Sequence, residues 1–362
     1  MFYYLSEFRD LFFGFNIFRY ITFRAAMAGL TTFLLCLVLG PFFIKKLKEL
    51  KVGEITKRKD CPDLDKFQHA KEGIPTMGGL FIVGSILISV FLWADLSNRY
   101  ILLTAMTCLY LAALGGADDY VKLKKIGHKR GLTKRTKLLW EILLGCFIGS
   151  YIYFNPGTST KVDIPFLKNI IVDIGLFYIP FVSLIVVGTS NAVNLTDGLD
   201  GLAIGCVLTV SLTLAILSYI AGHAAFSGYL FIPYIPGAGE LAVFCAAIIG
   251  ASLGFLWFNC PPASVFMGDV GSLSLGGTLG VIAVLIKKEL LLVIMGGVFV
   301  VEALSVIIQI ASFRLRRKRV FKMSPFHHHL QLSGWQESQI IIRFWIIAII
   351  LALITLMTLK IR

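Results

Sequence analysis

Residues 202–221 read Leu-Ala-Ile-Gly-Cys-Val-Leu-Thr-Val-Ser-Leu-Thr-Leu-Ala-Ile-Leu-Ser-Tyr-Ile-Ala, an unbroken stretch without a charge. A bilayer core about 30 Å thick takes roughly 17–25 such residues per helix, so this stretch reads as one membrane span. Further stretches of the same kind lie at approximately 25–44, 78–94, 101–117, 138–154, 170–189, 241–258, 270–286, 290–312 and 340–359. The 362 residues are 57% hydrophobic and 15% charged, with mean hydropathy +0.82. That balance excludes a soluble enzyme, a disordered tail and a secreted disulfide scaffold. The fold class is an all-α integral membrane protein: one polytopic domain over 1–362, with about ten transmembrane helices in 24–362. Residues 1–23 lack a continuous apolar core and read as an interfacial amphipathic helix, not a cleavable signal. The seven cysteines are odd in number, form no Cys-x-x-Cys and mostly sit in apolar runs. They read as small buried hydrophobes.

Ten spans put both termini on one face. Loops 45–74, 118–137 and 313–336 hold 23 of the 34 Lys and Arg. The positive-inside rule makes those loops cytoplasmic and both termini periplasmic or extracellular. The same bias accounts for the net charge of +13 without any nucleic-acid partner. The cytoplasmic loops also collect the residues able to do polar chemistry: Asp118 and Asp119, Asn194, Asp197 and Asp200, Asn259 and Asp269, and His327, His328 and His329. One active face on the cytoplasmic side follows.

Each cluster has a plain structural alternative. Gly115-Gly116-Ala117-Asp118-Asp119-Tyr120 places two carboxylates at the C-terminal end of the third helix, where the macrodipole opposes them. They either pair with Lys122, Lys124 or Lys125, or serve Mg²⁺ or a general base; being adjacent, they differ in role. Asn191 to Gly201, between helices 5 and 6, is a capping turn or a site, with Asp197 and Asp200 sharing a face if helix 6 starts there. Phe266 to Ser272 puts Asp269 at the start of helix 8, as an N-cap or a metal ligand near phosphate. His327, His328 and His329 follow a basic run and suit phosphate contact or proton transfer better than zinc. Glu302, Ser305 and Gln309 fall near one face of helix 9, as an interhelical hydrogen bond or a ligand contact. Clustered aspartates, lysines and histidines at a membrane surface suit Mg²⁺-dependent phosphoryl transfer. Without a Gly-x-x-x-x-Gly-Lys-Ser/Thr loop, ATP hydrolysis is not expected.

Pro75-Thr76-Met77-Gly78-Gly79, Asp118-Asp119-Tyr120-Val121-Lys122, Asn191 to Gly201, Phe266 to Ser272 and Pro325 to His329 together resemble the bacterial phospho-N-acetylmuramoyl-pentapeptide transferases. These belong to the polyprenyl-phosphate N-acetylhexosamine-1-phosphate transferase superfamily. The resemblance covers essentially the whole chain. It implies transfer from UDP-N-acetylmuramoyl-pentapeptide to undecaprenyl phosphate, giving lipid I and UMP, with Mg²⁺ required. It also implies ten helices, a homodimer and the bacterial inner membrane. Carried over residue by residue, Asp269 resembles the Mg²⁺ ligand, Asp118 the base or lipid-phosphate-activating group, and Asp119 a support for metal and substrate. Lys137 and Lys122 face phosphate, and His327, His328 and His329 the donor, with His328 placed in the catalytic set. Lys71, Thr76, Asn194, Asp197, Asp200, Asn259, Phe266 and Gln309 match the nucleoside and sugar pocket, with Phe266 as a stacking platform. The superfamily's Asp-Asp-x-x-Asp has Lys at position 122 here. A transferase of N-acetylglucosamine-1-phosphate and an ion-coupled transporter are the alternatives.

Overall fold

The computed structural model describes residues 1–50, 73–124, 131–155, 158–166 and 171–360. Among them the apolar helices follow the predicted order. They are α1 (Ile21–Glu49), α2 (Gly79–Trp93), α3 (Arg99–Lys124), α4 (Lys134–Phe154), α5 (Tyr178–Thr196), α6 (Leu202–Ala221), α7 (Leu241–Asn259) and α8 (Gly268–Leu285). Then come α9 (Glu289–Met295), α10 (Gly297–Arg316), the short α11 (Phe326–Gln331) and α12 (Glu337–Met357). Nine helices among the described residues are long and apolar enough to cross a membrane, and α2 is a shorter apolar helix of 15 residues. Outward residues such as Val38, Leu184 and Trp257 are large, apolar and exposed, as expected where the solvent is lipid.

The centre of the bundle is α8, packed against α2, α3, α5 and α6. Its sequence is rich in Gly, Ser and Thr and it is buried from Val270 to Leu285. Within lipid, helices gain from close backbone approach, which small residues allow. A Cβ on Gly115 of α3 would overlap the Asp269 carbonyl, and one on Gly79 of α2 would overlap the backbone of Gly271. These two crossings bring the C-terminal end of α3 and the start of α2 against the N-terminus of α8. Asp118, Asp119 and Asp269 meet for that reason.

Several predicted boundaries move. Residues 1–20 carry two 3₁₀ segments, Phe2–Phe8 and Phe13–Arg19, instead of one amphipathic helix, and 21–23 already belong to α1. Phe12 between them is extended, and the rings of Phe2, Phe18 and Phe23 gather on Trp93, a packing that outweighs the modest helix propensity of aromatic residues. The span expected from residue 170 begins at Tyr178. Ile171–Asp173 instead pairs antiparallel with Lys161–Asp163, and the Asp173 carboxylate closes the next turn by accepting from Thr160 and Gly175 N. The single span expected over 290–312 is broken at Gly296, between α9 and α10, where paired glycines make a kink cheap.

At the end of the bundle away from Asp269, the Arg24 guanidinium grips Glu240 with two bonds of 2.6 and 2.5 Å and also donates to Trp93 O. Arg24 is 1% exposed. Arg24→Ala strands a buried carboxylate and is expected to cost about 3–5 kcal/mol, seen as a lowered thermal midpoint in detergent. Arg24→Met combined with Glu240→Leu recovers most of it. Just past the C-terminus of α8, Lys287 donates to Tyr178 Oη at 2.6 Å, and that hydroxyl donates to Glu289 Oε1 at 2.6 Å. Burial pushes the Lys287 ammonium down to about 8, against the pull of Glu289 and Asp173. The unfolded chain keeps that proton up to about pH 10.4, so it binds more protons than the folded one above pH 8. Stability at this end therefore rises between about pH 8 and pH 10, and Lys287→Met flattens the slope of thermal midpoint against pH.

Candidate active site

The helices present their chemistry-bearing residues at one end. Asp118 and Asp119 are not at the end of α3 as the sequence suggested, because the helix continues to Lys124. Lys122, three and four residues on, supplies the positive charge that makes the continuation favourable. Its Nζ stands 2.9 Å from Asp118 Oδ2, 3.3 Å from Asp119 Oδ1 and 2.9 Å from Asp269 Oδ2. Of the two alternatives, the pairing with Lys122 is the one the structure displays. The two acids do differ beyond that shared cation. Asp118 Oδ1 accepts from Leu132 N at 2.6 Å, while Asp119 Oδ2 accepts from Val270 N at 3.3 Å and so caps the start of α8.

Asp269 lies in the first turn of α8, on the favourable side of the dipole. Besides Lys122, it accepts from Lys137 Nζ at 3.0 Å and from Asn194 Nδ2 at 2.8 Å. Lys137 belongs to the first turn of α4, whose N-cap Thr133 accepts from Thr136 N. Asn194 belongs to the last turn of α5, so Asn191 and Asn194 are helical, not part of a loop. Ser272, one turn after Asp269, accepts the other bond from Asn194 Nδ2 at 2.8 Å. Sequence reasoning passed over Ser272, although its spacing from Asp269 signalled it. The backbone of Phe266 clamps the 75–79 segment: its N donates to Pro75 O and its carbonyl accepts from Gly78 N, both at 2.8 Å. This holds Thr76 beside Gly268, with the ring of Phe266 half-buried.

Other expected site residues have structural duties. α6 starts at Leu202 after Gly201 at φ +79, so Asp197 and Asp200 do not share a helical face. Asp197 is the C-cap of α5, and Asp200 is 4% exposed, its carboxylate accepting from Ala263 N at 3.1 Å. Asn259 is 3% exposed and spans Gly201 N and Val265 O. Gln309 accepts from Val320 N and Phe321 N and donates to Phe321 O, all at 3.0 Å. The histidines differ in their partners, although the rings of His327 and His328 meet edge to face, centroids 4.2 Å apart. His327 turns inward to Glu302, His328 reaches Gln331 Oε1 at 2.8 Å, and His329 accepts from Lys322 N against the rings of Phe321 and Phe326. Glu302 and Gln309 therefore do use one face of α10, toward the 320–327 segment. Lys71 lies outside the described residues.

Among the described residues no three His, Cys, Asp or Glu side chains stand ready to enclose a metal ion. Three carboxylates nevertheless surround one cation, the Lys122 ammonium. Hard oxygen donors around one positive charge are the donor chemistry of Mg²⁺, so the residues fit that ion. The acids cluster at one end of the helices and not at mid-span, unlike the midplane site of an ion-coupled transporter.

The glycosyl transferase family 4 model matches residues 100–287, and phospho-N-acetylmuramoyl-pentapeptide-transferase signature 1 matches residues 71–83. The chain is 53% identical over 349 residues to a phospho-N-acetylmuramoyl-pentapeptide-transferase of Geobacter sp. (strain M21), covering 96% of each chain. It is 50% identical over 364 residues to that of Desulforapulum autotrophicum, covering 100% of each. It is also 50% identical over 361 residues to that of Thermodesulfovibrio yellowstonii, covering 99% of each. With its aspartates gathered on one cation position and this likeness running from end to end, the chain belongs to the phospho-N-acetylmuramoyl-pentapeptide-transferase family.

Proposed function

We propose that this phosphotransferase moves phospho-N-acetylmuramoyl-pentapeptide from its UDP carrier to undecaprenyl phosphate, with Mg²⁺, on the cytoplasmic face of the bacterial inner membrane. The observation that carries the reading is the convergence of Asp118, Asp119 and Asp269 on one cation position beside Lys137. An oxygen of the lipid phosphate attacks the phosphorus that bears the sugar. The bond from that phosphorus to the bridging oxygen breaks, and UMP leaves with the electron pair, giving lipid I. Direct attack needs no covalent aspartyl intermediate.

Asp118 is the group that hydrogen-bonds or deprotonates the attacking phosphate. Asp119 fixes the N-terminus of α8, and Asp269 is the metal ligand. Mg²⁺, when bound, neutralises charge on the diphosphate. Lys137 and Lys122 hold phosphate oxygens, as point charges suited to that role. Asn194 keeps Asp269 oriented, and Thr76 and Phe266 border the nucleoside. In this reading the 15-residue α2 counts as a tenth span, this end of the bundle lies with the basic loops, and the protein works as a homodimer.

The test is UMP release by purified protein in detergent with undecaprenyl phosphate, Mg²⁺ and either UDP-N-acetylmuramoyl-pentapeptide or UDP-N-acetylglucosamine. Release from the muramoyl donor alone is expected. Release from the N-acetylglucosamine donor alone moves the substrate assignment to the sister reaction.

A further inference from the structure

Glu302 and His327 form a pair that the transfer chemistry leaves unused. Both side chains are fully buried. Glu302 sits in the second turn of α10 and accepts twice from the same residue, from the His327 backbone N at 3.1 Å on Oε1 and from His327 Nδ1 at 3.1 Å on Oε2. A carboxylate only accepts, so Nδ1 carries the hydrogen. The other ring nitrogen, Nε2, is buried and finds no hydrogen-bond partner among the described residues. A hydrogen there would be a buried donor without an acceptor, so the geometry favours the tautomer that leaves Nε2 bare.

That bare edge lies against the turn joining α5 to α6. A Cβ on Gly198 would overlap His327 Nε2 and stand 2.9 Å from Cε1. Gly198 follows Asp197, the C-cap of the helix that carries Asn194. A line of contacts thus runs from α10 through Glu302 and His327 to the turn beside Asn194 and Asp269.

We propose that Glu302 is a positioning residue: it locks His327 as the Nδ1–H tautomer, and the imidazole edge sets the Asp197–Gly198 turn that the UDP donor meets. This rests on the transferase reading and adds to it a residue that touches no substrate. Glu302→Gln is the sharp test, because a glutamine has one acceptor oxygen for two donors. Its oxygen keeps the His327 backbone N–H, its NH₂ then faces Nδ1, and the ring must switch to Nε2–H, toward Gly198. Gly198→Ala pushes on the same contact from the other side.

The experiment combines ¹⁵N-histidine spectra of the full-length protein in detergent with donor kinetics, His327 being assigned by the signal lost in His327→Asn. In the wild type His327 is expected as a neutral Nδ1–H ring, and in Glu302→Gln as Nε2–H. Glu302→Gln and Gly198→Ala each raise the KM for the UDP donor about tenfold and change kcat and the KM for polyprenyl phosphate far less, a split that general misfolding does not produce. Because Glu302 acts through His327, the Glu302→Gln, His327→Asn double variant is no worse than the poorer single one. An unchanged tautomer with unchanged KM, or losses that fall on kcat and add in the double variant, overturns the proposal. If Glu302→Gln does not fold, the wild-type spectrum decides alone, and an Nε2–H or imidazolium signal overturns it. UMP release by the wild type from the muramoyl donor is measured alongside; its absence defeats the transferase reading whatever the spectra show.

Discussion

Asp269→Asn is expected to lower UMP release by about a thousandfold or more, the scale of losing a preorganised charge at a phosphoryl-transfer site. The side chain has three donors on its two oxygens: Lys122 and Lys137 on Oδ2, Asn194 on Oδ1. An asparagine must turn its NH₂ toward either two ammonium groups or another amide. It loses the charge and at least one of those bonds at once. Asp118→Asn is expected to lose turnover to a similar extent for a different reason, since it removes the group proposed to face the acceptor phosphate. Mg²⁺ separates the two: added Mg²⁺ still raises the thermal midpoint of Asp118→Asn but not that of Asp269→Asn. Near-normal, Mg²⁺-dependent turnover by Asp269→Asn sinks the metal assignment.

How much of this was legible in the sequence follows from the scale of the forces. Apolar stretches announce themselves because each must satisfy lipid over its whole length, and Leu202–Ala221 is a helix with the bounds read from composition. Boundaries drifted where a local contact beats composition. Ile171–Val172 is as apolar as the span it precedes, yet pairing with Val162 and the capping carboxylate of Asp173 keep it extended. The break at Gly296 left only a glycine pair as a signal.

The candidate site was legible as a list and illegible as a division of labour. Asp118, Asp119, Asp269, Lys122, Lys137 and Asn194 meet as expected, because loop alternation already put them on one face. Spacing alone could not reveal that Asn259 and Asp200 spend their polar atoms on backbone. Those duties depend on the 197–201 turn meeting the 260–265 segment, a contact between parts of the chain some sixty residues apart. Likewise three consecutive histidines carry no hint that the first faces inward, since the partner that turns it, Glu302, lies 25 residues earlier.

Lys122→Met should separate the cation site from its stand-in. The Lys122 ammonium lies within 3.3 Å of three carboxylates that otherwise repel one another, with Lys137 beside Asp269 alone. Two like charges about 4 Å apart near a protein surface repel by about 4 kcal/mol before ionic screening. Without the ammonium, the metal-free variant is expected to have a clearly lower thermal midpoint than the wild type. Mg²⁺ then competes with Lys137 alone and no longer with two ammonium groups, so it stabilises the variant more than the wild type and half-saturates at a lower concentration. Turnover is nevertheless expected to fall about a hundredfold, because the cation proposed to hold a phosphate oxygen has gone. Lys122→Arg keeps the charge and is expected to stay near the wild-type midpoint. If Mg²⁺ raised the midpoint of Lys122→Met no further than that of the wild type, the three carboxylates would not be its site, and their convergence on Lys122 would be a purely structural ion pair.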